Sequence, residues 1–180
     1  MPTTTPLNTQ ENKETLDDNA RKFIVDALDQ SFLTENRASS FTLLVDWLET
    51  SVDNEKKIVH KTFDNGDVRM FLVSKVTKDS KRVAEKEKID EQQYKALLPS
   101  STLHLEKKRH EFDYIQNNIS FSVKYDEFAG SDLRMIEVDA SSDAERNSFN
   151  PSDFPATLVE VTGEIKYYGY RMAKYLKTLS

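Results

Sequence analysis

Cysteine is absent from the 180 residues, and glycine occurs only 4 times. Without cysteine there is no disulfide, no thiolate nucleophile and no cysteine-ligated zinc. With so little glycine, a phosphate-cradling P-loop and a Gly-x-Ser-x-Gly elbow are both missing. No apolar run approaches the roughly 20 residues that cross a bilayer. The opening MPTTTPLNTQENKETLDDN has no apolar stretch of a signal peptide, so a soluble cytoplasmic protein is expected. Asp and Glu outnumber Lys and Arg by 31 to 25, for a net charge of -6. That balance argues against nucleic acid and against membrane surfaces as partners. Any phosphate site must be a local basic cluster.

What is present is charge, at 31% of residues, arranged along β-prone segments. Residues 1–19 are polar with two prolines and read as a disordered tail, leaving 20–180 as a single domain. FTLLVDWLET (41–50) favours a strand through its branched and aromatic residues. KKIVHKTF and VRMFLVSKV flank DNGD, a strong hairpin signal, and KRVAEKEKI follows the polar turn TKDS. DEQQYKALL is a helix opened by Asp90 and stopped at Pro99. LHLEKKRHEFDYI, NISFSVKYDEF and DLRMIEVDA alternate as strands, SSDAERNSF has helix-capping chemistry, TLVEV is one more strand, and YRMAKYLKTL is an amphipathic helix. About eight hairpin-linked strands with few helices predict an α+β fold, an antiparallel sheet or closed barrel.

Writing each strand with period two groups the charges. Glu85 shares a face with Glu87, Lys107 with Arg109, Lys124 with Asp126, and Glu137 with Asp139, while Lys75 ends the face carrying Arg69, Phe71 and Val73. Ile119, Phe121, Val123 and Tyr125 form an apolar opposite face. Such alternation is also what an ordinary solvated strand shows. A barrel offers another solution, with a packed wall and a polar lumen. In a lumen, Lys and Arg suit phosphate oxygens, and clustered carboxylates suit Mg²⁺ or Mn²⁺. His60, His104 and His110 are not at metal-ligand spacing. Trp47, Tyr167 and Tyr168 read as core or barrel-rim packing, and Met70, Met135 and Met172 as core filler.

Several segments, in order, resemble the CYTH or triphosphate tunnel metalloenzyme superfamily. ARKFIV stands where that family opens with E-x-E-R-K-F, DWLET resembles its Y-L segment, and MFLVSK its Y-x-T-x-K strand. RVAEKEKID is similar to R-x-E-x-E, LEKKR to E-K-x-R, YDEFAG to D-V-F-x-G, and MIEVDA to A-E-V-E. EVTGEIKYYGYRMA resembles the terminal E-V-T-x-D-x-R-Y-x-N-x-x-L-A, with Glu164 at the family's acid. The resemblance implies an antiparallel barrel of about eight strands around a triphosphate, and a homodimer. It implies that Lys22, Lys75, Arg82, Lys107, Arg109 and Lys166 contact phosphate. It places Glu85, Glu87, Asp126, Glu137 and Asp139 toward a divalent metal, with catalytic roles for Lys22 and Glu137.

The departures are specific. The paired opening glutamates fall on Asp18 and Ala20, and the E-x-D pair becomes Lys124 and Asp126. The paired arginines expected near residue 60 are represented by His60, Lys61 and Thr62. Matching R-x-E-x-E needs a one-residue slip, and such a slip turns every side chain over. Two registers of VAEKEKID therefore stand: Glu85 and Glu87 inward, or both outward with Lys86 in the tunnel. The expected function is metal-dependent hydrolysis of a triphosphate, polyphosphate or nucleotide. The alternatives are a non-catalytic module that binds such a ligand, and a structural protein whose tunnel is filled by its own salt bridges.

Overall fold

The computed structural model describes residues 13–17, 19–51 and 54–179. The strands are β1 (Lys13–Asp17), β2 (Arg21–Val25), β3 (Ser39–Thr50), β4 (Asn54–Phe63), β5 (Val68–Lys78), β6 (Lys81–Ile89), β7 (Leu103–Gln116), β8 (Ile119–Phe128), β9 (Arg134–Asp139) and β10 (Leu158–Glu160). The helices are α1 (Gln30–Glu35), α2 (Glu91–Leu97), α3 (Asp143–Ser148) and α4 (Gly169–Leu179). None of them is long and apolar enough to cross a membrane.

All ten strands form one antiparallel sheet in the order β1-β6-β5-β4-β3-β7-β8-β9-β2-β10. The expected α+β antiparallel architecture holds, with ten strands among the described residues. The eight strands β2 to β9 make the tunnel wall, and β1 and β10 extend its two edges. Within the expected tail, residues 13–17 pair with β6 from Lys13 opposite Glu87 to Asp17 opposite Val83. The N–H and C=O groups of the β6 edge supply the partners for that pairing. Residues 1–12 of the expected tail lie outside the described residues.

Turn chemistry sets the registers. Gly66 sits at φ 91 in the β4–β5 hairpin, as the Asn-Gly pair predicts. Asp79 and Ser80 (φ 50 and 62), and Asn117 and Asn118 (φ 51 and 63), make two-residue turns whose left-handed backbone matches the strand twist. Asp90 caps α2 by accepting from the Gln93 backbone N–H at 2.8 Å, while its own N–H donates to the Gln93 side chain at 2.9 Å.

The wall is packed from outside. Phe23, Phe121, Val123, Tyr125, Ile136 and Val138 are buried with Leu33 of α1 and with Phe149 and Phe154. Across the other half, Ile58 and Ile89 are covered by Tyr94 of α2. A third cluster lies at one end of the inner face, where Phe41, Leu43, Val45 and Trp47 meet Tyr170, Met172 and Ala173 of α4. Gly169 makes this approach possible, because a Cβ there would stand 2.9 Å from the Trp47 ring.

Among the described residues no ladder joins the two ends of the sheet. A side chain spans the seam instead. The Tyr168 ring lies 5.4 Å from the Lys22 ammonium on β2 and 4.7 Å from the Arg82 guanidinium on β6. Two cations on one ring draw the open ends together, each contact contributing about 1 kcal/mol. Tyr168→Ala should lower stability by about 2 kcal/mol in urea unfolding, whereas Tyr168→Phe should stay within about 0.5 kcal/mol of wild type. Equal effects of the two variants would show that the ring does not hold the seam.

Candidate functional site

Alternate residues of the eight wall strands face a cavity of about 250 Å³. That is slightly below the roughly 300–1,000 Å³ of drug-sized pockets, so it suits a small ligand. Its described lining holds nine cations: Lys22, Lys57, Lys61, Lys75, Arg82, Lys86, Lys107, Arg109 and Lys124. Four carboxylates face them, Glu55, Glu111, Asp126 and Glu137, which leaves an excess of five positive charges in this lining. The whole chain carries -6. Positive charge is therefore concentrated inward.

One wall is built by β7, β8, β9 and β2. The register sets Arg109 opposite Asp126, Glu111 opposite Lys124, Lys124 opposite Glu137, and Glu137 opposite Lys22. Arg109 donates to both oxygens of Asp126, Nε to Oδ1 at 2.6 Å and Nη2 to Oδ2 at 2.7 Å. Lys107 Nζ adds a third bond to Oδ2 at 2.8 Å. Burial would raise the Asp126 pKa, but the Arg109 and Lys107 charges hold it below the usual carboxylate value. Glu137 lies 3.9 Å from Arg109. Burial pushes against its charge too, yet Arg109, Lys22 and Lys124 keep its pKa well below the ordinary value.

The facing wall is built by β4, β5 and β6 around Glu55. This carboxylate accepts from Trp47 Nε1 at 2.6 Å, Lys57 Nζ at 3.0 Å and Arg82 Nη2 at 2.6 Å. Against the effect of burial, Lys57, Lys75 and the indole N–H bring its pKa from 4.5 to about 2. Lys57 is displaced in the opposite sense for a base. Burial first, and then the Lys75 charge, lower it from 10.5 to about 8, with Lys107 of the other wall adding to the effect. The two walls thus feel each other across the lumen. Toward another part of the lumen, Lys61 lies 3.7 Å from the Phe41 ring centroid and Lys86 lies 4.0 Å from that of Phe71.

Seven residues singled out in the sequence share this cavity: Lys22, Lys75, Arg82, Lys107, Arg109, Asp126 and Glu137. Four do not line it. Glu85 and Glu87 lie on the opposite face of β6, because Arg82, Ala84 and Lys86 take the lumen side. The outward register of VAEKEKID is the one adopted. Asp139, at the end of β9, is engaged by Arg146 of α3 at 2.7 Å. Lys166 sits on a short 3₁₀ turn, exposed, 3.8 Å from Glu164. Asp18 lies outside the described residues. Glu55, Lys57 and Glu111 were missed, although Glu55-x-Lys57-x-Val59-x-Lys61 carries the period-two signal.

A divalent cation fits poorly here. Among the described residues no three Asp, Glu or His side chains are grouped to hold one. Asp126 and Glu55 have both oxygens engaged by cationic side chains, and Glu137 lies in the field of four. Such a donor set is already neutralised.

The fold is similar to that of NE1496 in two solved structures, one described as a hypothetical protein and one as the inorganic triphosphatase NE1496. Each is 23% identical with a TM-score of 0.57, over 86% of this chain and 95% and 92% of theirs. The PH1819 protein from Pyrococcus horikoshii OT3 is 19% identical with a TM-score of 0.48, over 71% of this chain and 82% of its own. No protein-family model matches the chain, and no curated protein matches it in sequence. At these identities the likeness is one of fold.

The buried Glu55 cluster should leave a mark on stability. Its folded pKa of about 2 is below the ordinary 4.5, so its contribution is complete above about pH 4.5 and is lost as pH falls toward 2. The loss should be about 3 kcal/mol. Glu55→Gln should lack this part of the acid limb in urea unfolding followed from pH 7 to pH 2. An unchanged limb would show that the cluster is not formed.

Proposed function

We propose that the tunnel binds a short linear oligophosphate of the triphosphate class, inorganic or carried by a nucleotide. The observation that carries this reading is the excess of five cations in the described lining of a small cavity, inside a protein of net charge -6. Buried like charges repel, and a polyanion with several oxygens per phosphorus removes that repulsion while accepting the donors of Lys and Arg. Lys22 and Arg82 reach it from the seam, Lys57 and Lys75 from one wall, and Lys107 and Arg109 from the other.

A second reading is hydrolysis of the terminal phosphoanhydride. It is favoured by the likeness to a structure described as an inorganic triphosphatase. In this reading the same cations absorb the charge that develops as the phosphoryl group leaves. The carboxylates nearest them, Asp126 and Glu137, are held ionised by their cationic neighbours and serve to position those neighbours.

Calorimetric titration with tripolyphosphate and with ATP tests the first reading. Binding should weaken as salt is raised. Lys75→Ala and Lys107→Ala should each raise the Kd about tenfold or more, as loss of a charge-assisted bond does. Phosphate released from bound tripolyphosphate would establish the second reading; binding without release would leave the first alone. No binding to the folded chain would overturn both.

Lys57 supplies an independent readout. A bound polyanion favours its ammonium form, so at pH 8, near its lowered pKa, wild type should take up more protons on binding than Lys57→Met. Titrations in buffers of different ionisation enthalpy measure the difference. Equal uptake would place Lys57 away from the ligand.

A further inference from the structure

The register of the β7-β8-β9-β2 wall sets four lumen-lining residues in a row across adjacent strands: Glu111, Lys124, Glu137 and Lys22. Directly opposed residues on neighbouring antiparallel strands have Cβ atoms about 5 Å apart. Lys124 thus stands between two carboxylates, one on each side, and its charge is among those that keep Glu137 ionised. A small cation between acidic side chains is what a carboxylate metal site provides, and here a side-chain ammonium takes that place. Nearby, Asp126 is occupied on both oxygens by Arg109 and Lys107.

Resting on the oligophosphate reading above, we propose that Lys124 is a built-in cation and that the tunnel takes its oligophosphate free of divalent metal, not as the magnesium complex. The chemistry follows from charge. A magnesium complex carries two fewer negative charges, and it brings a hydrated dication into a lining that already has five cations in excess. The free polyanion meets all the cationic side chains without that repulsion.

The test is calorimetric titration of the full chain with tripolyphosphate, once in EDTA and once with enough Mg²⁺ to complex about nine-tenths of the ligand. Binding is expected in EDTA, with the apparent Kd about tenfold higher in Mg²⁺, because only the uncomplexed tenth competes for the site. Equal or tighter binding in Mg²⁺ overturns the inference. Absence of binding in both conditions overturns the oligophosphate reading itself, and the inference with it.

Lys124→Glu sharpens the test by placing three carboxylates side by side. It should weaken binding in EDTA at least about tenfold and make Mg²⁺ strengthen binding. Wild-type affinity of the folded variant in EDTA would overturn the role given to Lys124. Lys124→Met, which keeps bulk without creating an acidic row, covers the case in which Lys124→Glu does not fold. It should bind more weakly in EDTA and gain nothing from Mg²⁺; wild-type affinity would again overturn the assignment.

Discussion

Mutual repulsion among cations that the sheet forces into one lumen is the constraint on which the rest of the structure depends. At an effective dielectric of about 20, two like charges about 8 Å apart repel by about 2 kcal/mol. The nine cations of the described lining, around a cavity of about 250 Å³, therefore oppose folding collectively. The carboxylates answer this locally. Asp126 sits between Lys107 and Arg109, and Glu55 between Lys57 and Arg82, each at distances of 2.6 to 3.0 Å. Each pair survives burial because its members remain hydrogen-bonded, and removing one member would strand a buried charge. What the carboxylates do not cancel is the charge on which the proposed ligand site rests.

The apolar framework carries the remaining electrostatic strain. The outer face of the wall is buried under α1, α2 and the Phe149 and Phe154 rings through large side chains such as Phe23, Phe121, Ile58 and Ile136. Fixed strand registers then leave the inner side chains little freedom to move apart. Two-residue turns at Asp79–Ser80 and Asn117–Asn118 set those registers without an intervening loop. Sheet stability and lumen electrostatics are linked through the same backbone: the outer face holds the strands, and the strands hold the charges.

Much of this was legible in the sequence because a strand has a fixed period. Once a segment is extended, Lys107 and Arg109 must share a face, and so must Lys124 and Asp126. The turn at Asn65–Gly66 and the helix start at Asp90 were legible for the same kind of reason, since both are local. Parity between strands was not. Glu85 and Glu87 form a tidy acidic pair, but which face of β6 is inward depends on its pairing with β5, where Lys75 lies opposite Ala84. Glu55 and Lys57 lie upstream of His60, Lys61 and Thr62, where the family resemblance puts its paired bases, and of those three Lys61 lines the lumen. Asp139, at the end of β9, is instead engaged by Arg146, seven residues further along the chain on the helix that follows.

Closure of the tunnel is the least legible feature and the one that joins fold to ligand. Among the described residues no ladder joins the two edges of the eight-strand wall, and the ring of Tyr168 spans them, against Lys22 of β2 and Arg82 of β6. Both cations also line the cavity. A phosphate oxygen approaching Lys22 or Arg82 therefore competes with the aromatic face for the same charge. A hydrogen bond to a charged group contributes about 1.5–3 kcal/mol, comparable to the roughly 2 kcal/mol of a cation–π contact whose cation is largely buried, as Arg82 is. Binding of the proposed oligophosphate would then loosen the ring and put a polyanion against both Lys22 and Arg82. In the proposed complex the seam spanned by this aromatic ring would also be spanned by phosphate, so that the ligand would bridge the same two strands.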